Sequence, residues 1–323
     1  MKKFIFLLLL MATSLQCFCW GFFGHRKINY YSVFLLPPQM LVFFKPQIGF
    51  ITEHSIDPDK RRYAVTGEGP RHFIDIDSYG KYPFVELPRD YKKAVEKYGM
   101  DVIQENGIVP WHVQVMLQRL TTAFKEKSYS GILKNSAELG HYIADAHVPL
   151  HASNNHNGQL TDQKGIHGFW ESRVPELLAD KRFDFFIGKA QYIKNPGEFI
   201  WERVLESSLA ADSVLKFEKE LSLKYPGETK YAFEQRNGVV IKQYSSGYTI
   251  AYDKMLNGMV ERRMRQSIFA IASFWFTAWI NAGQPDLSEL SKKEFSESEL
   301  KEFEELNETW KTGIKIKVRE HED

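Results

Sequence analysis

The stretch Glu138-Leu-Gly-His-Tyr-Ile-Ala-Asp-Ala-His-Val-Pro-Leu-His151 sets the reading of the whole chain. His141 and Asp145 stand four apart, so on a helix they share one face, a turn from each other. Pro149 disfavours helical geometry at Val148, which ends the helix there and leaves His151 just beyond it, near the same place. A little further on, Gly165-Ile-His-Gly-Phe-Trp-Glu171 repeats the i, i+4 pairing with His167 and Glu171. Imidazole nitrogen with carboxylate oxygen is the donor set that zinc accepts in catalytic sites. One His/Asp pair is most often two surface polar residues that fall in phase. Two such pairs with a third histidine between them form a constellation.

Helical periodicity spreads outward from this stretch. Trp111 to Lys127 carries a broad apolar face of Val113, Val115, Met116, Leu117, Leu120 and Phe124. Asp90 to Tyr98 reads as one helix and Tyr129 to Ala146 as the helix of the central motif. Another starts near His167 and runs towards Leu178, bent at Pro175. Residues 195–222 give one or two more, and 251–281 a long one whose apolar end, Ile268 to Ile280, is too short for a membrane span. Ile28 to Leu35 fits a helix that Pro37 and Pro38 stop, and 39–53 a second apolar helix. His54 to Tyr63 is a polar loop or broken helix, and Arg71 to Asp77 alternates like a short strand or an extended loop. Helices nearly everywhere, few strand signals and no internal repeat point to an all-α domain. Beyond Gly283-Gln-Pro-Asp286, residues 287–311 are charged with spaced leucines and phenylalanines, as in a surface amphipathic helix or a solvated tail.

With 43% hydrophobic and 14% aromatic residues there is ample material for a core. Lysine and arginine number 42 against 41 acidic residues, so no global field draws nucleic acid. That balance leaves room for an enzyme that binds one or two phosphates at a metal centre. Met1 to Cys19 reads as a signal peptide: Lys2 and Lys3 supply the positive start, Phe4 to Met11 the apolar run, and Cys17-Phe-Cys19 small residues at the cleavage site. Cleavage there makes Trp20 the mature N-terminus and removes both cysteines. The expectation is an exported protein, periplasmic or extracellular, with no disulfide and no transmembrane segment. The expected organisation is a signal peptide over 1–19, one helical domain over 20–285, and a charged, helical extension over 286–323.

Candidate ligands gather in the first half of the chain: His25, Asp57, Asp59, His72, His141, Asp145, His151, His167 and Glu171. Four protein ligands close a zinc ion and three leave a position for water. This number suits two or three ions, with a carboxylate such as Asp145 bridging a pair. On a helix, His147 points away from the His141/Asp145 face and suits packing or an outer-partner role. His54, His112 and His156 read as surface or locally hydrogen-bonded histidines. Phe169 and Trp170 can line a substrate pocket or pack in the core.

Taken together, these residues resemble the superfamily of zinc-dependent phospholipases C and single-strand-specific zinc nucleases. By motif the resemblance runs from Trp20 to about residue 173, and more weakly to about Gly283. The family's hallmark is a mature N-terminal tryptophan whose amino group and carbonyl bind one zinc. Trp20 follows the expected cleavage site, and His25 follows it at the short spacing of the nuclease branch. His141, Asp145 and Pro149-Leu-His151 look like the central motif, His167 and Glu171 like the histidine–acid pair, and His72-Phe-Ile-Asp like the remaining histidine segment. The resemblance implies a multi-helix bundle with three zinc ions in a cleft closed by the mature N-terminus. It implies one zinc on Asp59, His72, His141 and Asp145, a second on His151, His167 and Glu171, and a third on the Trp20 terminus, His25 and Asp145. Asp59 is favoured over Asp57 by the local match of Pro58-Asp59 followed by Arg62; the other aspartate would pair with Arg61 or Arg62.

The activity implied is phosphodiester hydrolysis, with zinc-activated hydroxide attacking phosphorus and Asp59 orienting or deprotonating the attacking water. Glu171, where the nuclease branch has aspartate, and His151-Ala-Ser-Asn154 lean towards phospholipase C and a phospholipid head group. The Trp20–His25 spacing, Gly24-His25 and export lean towards a nuclease acting on single-stranded nucleic acid. The neutral charge and the lack of mature cysteines lean away from it. A phospholipase C-like hydrolase is therefore the first reading and a nuclease the second. A non-catalytic, zinc-stabilised binding protein is a third, opposed by the three-ligand set of His151, His167 and Glu171. No stable protein partner is expected.

Overall fold

The computed structural model describes residues 21–312, apart from Tyr63, Asn237 and the side chain of Arg236. The expected signal peptide and Trp20 lie outside the described residues. The described residues begin with α1 (Gly21–Val33), which starts earlier than the apolar spacing from Ile28 indicates. Pro38 then starts α2 (Pro38–Phe44), at a position where its missing N–H costs no helical bond. Pro46 separates α2 from α3 (Ile48–Glu53), so the expected helix over 39–53 is two. A 3-10 turn, His54–Ile56, leads into α4 (Asp57–Arg62), the broken helix foreseen there.

Arg71 to Asp77 is not a strand. Gly69–His72 and Ile76–Tyr79 are 3-10 turns, and the extended residues between them find no strand to pair with. Their backbone bonds go elsewhere: Ile74 N donates to His151 O at 2.9 Å and Asp75 N to Asn106 O at 2.7 Å. Helices α5 (Tyr91–Tyr98), capped by the Asp90 carboxylate, and α6 (Met100–Glu105) follow. Next come α7 (Val109–Lys125) and α8 (Tyr129–Ala146), the latter with the predicted bounds. Ser128 caps α8, and Val148 turns extended ahead of Pro149, as the clash with the proline ring requires.

After a 3-10 turn, Pro149–Ala152, a continuous helical segment spans α9 (Ile166–Gly168), a π turn over Phe169–Arg173, and α10 (Val174–Arg182). Pro175 has no N–H for the carbonyl of Glu171, and the wider π turn lies directly before it. Residues 195–222 form one helix, α11 (Pro196–Ser222). A short α12 (Gly227–Lys230) enters an antiparallel hairpin of β1 (Tyr231–Arg236) and β2 (Val239–Tyr244). The hairpin was not foreseen, although Asn237-Gly238 between β-branched and aromatic residues is its signal. The long helix expected over 251–281 is two, α13 (Ser246–Met255) and α14 (Met259–Asn281). Asn257 and Gly258 have φ of 52° and 70° between them, a left-handed conformation that no helix continues through. Last, α15 (Glu297–Thr312) has no buried residue, in keeping with a surface helix.

The fold is therefore all-α with one hairpin. Its centre is α8, packed by α1, α7 and α14. Every residue from Leu139 to Ala146 is buried. Trp275 of α14 stacks on Phe44 and donates its indole N–H to Ser136 O of α8 at 3.0 Å. Ser32 of α1 donates to Ile268 O of α14 at 3.2 Å. Among the described residues no helix is long and apolar enough to cross a membrane.

One glycine decides where the His72 turn lies. Gly107 has φ of 84°, and a Cβ there would come 2.2 Å from Phe73 O. Its neighbours hold the turn, with Ile108 N donating to Pro70 O and Val109 N to Phe73 O. Gly107→Ala is expected to lower stability by about 1–3 kcal/mol, read as a fall in the denaturant midpoint.

Candidate metal centre

Eight of the predicted ligands converge in the interior. α1 brings His25, α4 brings Asp59, and the Gly69–His72 turn brings His72. α8 presents His141 and Asp145 a turn apart, and the Pro149–Ala152 turn carries His151. His167 sits on α9 and Glu171 in the π turn. None of the eight is more than 4% exposed. They form three groups whose donor atoms lie within 4.8 Å of one another: His25 with His141 and Asp145; Asp59 with His72 and His141; His151 with His167 and Glu171.

Asp145 joins the first two groups. Its Oδ1 lies 3.4 Å from His25 Nε2, while its Oδ2 lies 3.0 Å from His72 Nδ1 and 3.2 Å from His141 Nε2. Asp59 Oδ1 is 3.6 Å from His141 Nε2 and 3.7 Å from His72 Nδ1. In the third group Glu171 Oε2 lies 3.0 Å from His167 Nε2 and 3.6 Å from His151 Nε2.

The backs of the imidazoles are held by fixed partners. His141 Nδ1 meets Ser55 O at 2.8 Å, His151 Nδ1 meets His72 O at 2.5 Å, and His167 Nδ1 meets His156 O at 2.9 Å. A carbonyl only accepts, so each Nδ1 is the protonated nitrogen and each Nε2 keeps its lone pair for the group. His72 is reversed. Its Nδ1 faces the carboxylates, and its Nε2 lies 3.8 Å from Glu68 Oε1. Glu68 is buried, accepts from the Tyr142 hydroxyl and pairs with Arg71 at 2.7 Å and Arg61 at 3.6 Å. Sequence reasoning passed over Glu68; its only signal is a place four residues before His72 in a turn-rich segment.

Burial lowers the pKa of both His72 and His151 to about 4, which keeps these rings in the neutral form that binds metals. Burial works to raise the Asp145 carboxyl, but the imidazoles of His141, His151 and His25 around it hold it well below the usual range. Asp59 is pushed well up, first by burial and then by Asp145 and Glu171 against the opposing His25. Asp59 Oδ2 is buried and accepts no hydrogen bond among the described residues, and Asp145 Oδ1 is buried against the His25 imidazole. Carboxylates buried in this way are stable only beside a compensating cation. Neutral imidazoles and clustered carboxylates fit a metal ion on chemistry as well as spacing, so these buried groups can hold metal ions.

Asp57 takes no part. It pairs with His54 Nδ1 at 2.6 Å and Lys60 Nζ at 2.9 Å, rather than with Arg61 or Arg62 as the sequence suggests. Two residues apart on α4, Asp57 and Asp59 point to opposite sides of the helix. His147 turns away as expected: its Nδ1 meets Ile143 O, and its carbonyl accepts from Arg263 Nε. His112 is neither exposed nor locally bonded. It is buried with its ring edge-on to Tyr142. His54 and His156 do make local hydrogen bonds, to Asp57 and to Asn154 O. Phe169 and Trp170 are core residues; Phe169 stacks on Tyr244 with centroids 3.8 Å apart. Trp20, the remaining expected ligand, lies outside the described residues.

No protein-family model matches this chain, and the curated proteins contain no significant match to it. Asp59→Asn is expected to lower the affinity of the bound metal by about 100-fold or more, whereas Asp57→Asn keeps the wild-type metal content. Elemental analysis of the purified variants after dialysis against a weak chelator separates the two.

Proposed function

We propose that this chain is a zinc-dependent phosphodiester hydrolase of the phospholipase C and nuclease type, acting on phospholipids to release a phosphorylated head group. The observation that carries this reading is Asp145, which offers its two oxygens to two different histidine groups while a third group lies alongside. His151 Nδ1 donates to His72 O at 2.5 Å, which ties the third group to the second. Adjacent groups sharing a carboxylate suit ions held a few ångströms apart. Such ions polarise a phosphoryl oxygen, acidify water and neutralise a leaving alkoxide.

The rest falls to the chain. His25 and Asp145 would hold one ion, with Trp20 as the expected additional ligand. Asp59, His72, His141 and Asp145 would hold another, and His151, His167 and Glu171 the third. Asp59, whose Oδ2 accepts no hydrogen bond among the described residues, would orient a water and take its proton. The three-ligand group leaves a position for substrate or water, whereas structural zinc sites are usually closed by four protein ligands. That favours an enzyme over a metal-stabilised binding protein. Glu171 and the neutral charge balance favour a phospholipid over single-stranded nucleic acid.

The test is a panel of a short-chain phosphatidylcholine, single-stranded DNA, RNA and a chromogenic phosphodiester, run on protein of measured metal content. Close to three zinc ions per chain, head-group release and abolition by chelator are expected. His151→Ala should cut turnover by about 100-fold or more with the helical spectrum retained. Nucleotide release instead would make it a nuclease. Loaded protein that turns over no diester would leave a binding domain.

A further inference from the structure

The hairpin is joined directly to the segment that carries the third ligand group. Arg173, in the π turn, donates to Tyr244 O at 3.0 Å and pairs with Glu234 at 2.6 Å. Tyr244 stacks on Phe169, which lies between His167 and Glu171 in the chain. The base of the hairpin is therefore fixed against the candidate site.

Several apolar side chains along it are exposed. Phe233 is 74% exposed, Val240 65% and Val239 46%. Leu223, where α11 ends and the chain leads into the hairpin, is 84% exposed. The register pairs Phe233 with Lys242 and Gln235 with Val240, so Phe233, Val240 and Lys242 share a face. Between residues 224 and 244 the sequence has Lys224, Lys230, Arg236 and Lys242 against Glu228 and Glu234. Glu234 pairs with Arg173 and Lys230 with the buried Glu218, so Lys224, Arg236 and Lys242 against Glu228 leave the segment cationic.

We infer that this hairpin is an interfacial anchor that seats the protein on a phospholipid bilayer. The exposed face that carries Phe233 and Val240 would enter the boundary between head groups and acyl chains, with Lys224 and Lys242 against lipid phosphates. Charge complementarity and side-chain type select this occupant. Valine and leucine have no π face on which a nucleic-acid base could stack, and Phe233 alone makes a poor stacking platform. The inference deepens the phospholipid reading and rests on it, because an anchor beside the site would present lipid head groups to it. Binding and hydrolysis can nevertheless be measured apart.

The experiment uses the full metal-loaded chain and the double variant Phe233→Ser, Val240→Ser. Both positions are exposed, so thermal unfolding should be unchanged. Wild type is expected to co-sediment with phosphatidylcholine vesicles, more strongly when they contain phosphatidylglycerol. The double variant should bind them about tenfold or more weakly. Turnover of a monomeric short-chain lipid should be equal in the two proteins, while turnover of vesicle lipid falls with the binding. The inference is overturned if wild type does not sediment with either vesicle or if the variant binds equally well. It is also overturned if the substitutions instead abolish self-association or single-stranded DNA binding. Vesicle binding without lipid turnover would sink the phospholipase reading and leave the anchor standing.

Discussion

Asp145 is a carboxylate with no exposed surface, set in a helix that other helices enclose, and each of its oxygens faces a different imidazole. Burying such a group is costly unless positive charge surrounds it. Much of the architecture can be understood as keeping that charge arrangement in place. α8 is packed by α1, α7 and α14, so His141 and Asp145 have one permitted orientation. α1, which supplies His25, is tied to α14 through Ser32. The rigid helices thus fix the shared part of the cluster, and the remaining ligands are brought to it from shorter elements.

Those shorter elements lock to one another through their backbones. His72 O accepts from His151 Nδ1, and His151 O accepts from Ile74 N, so each turn positions the other. The Gly107 corner supports the same turn from below through Phe73 and Pro70. The π turn does comparable work for Glu171. By widening the helix ahead of Pro175 it lets the chain continue into α10 while Glu171 stays in reach of His167. Irregular backbone is concentrated where ligands are delivered, because regular helices alone do not bring eight side chains to one place.

The outer partners set which nitrogen each histidine offers. Three carbonyls fix His141, His151 and His167 through Nδ1, and the buried Glu68 lies behind the reversed His72. Fixed tautomers and neutral rings make the site ready for a cation, at the expense of stability when none is bound. The buried Oδ2 of Asp59, which accepts no hydrogen bond among the described residues, is the clearest mark of that trade.

Much of the site could be read along the chain, because local period is encoded in neighbouring residues. Helical spacing alone placed His141 over Asp145 and His167 over Glu171, and Pro149 alone placed His151 past the end of α8. The bounds of α8 and the all-α class were also legible from periodicity and the scarcity of strand signals. Where two elements meet was not legible. The match of Pro58-Asp59 favoured Asp59 over Asp57, but that α4 lies on α8 with the Asp59 side turned inward shows only in the packing. Of the strand and the extended loop open for Arg71 to Asp77, the loop holds, because a strand needs a neighbour and none lies there among the described residues. Glu68 carried no signal until His72 was placed against it. Residue type and spacing determined which groups can bind a metal; the packing of α8 and the turns around it decided which of them meet, because burial and contact are properties of the assembled chain.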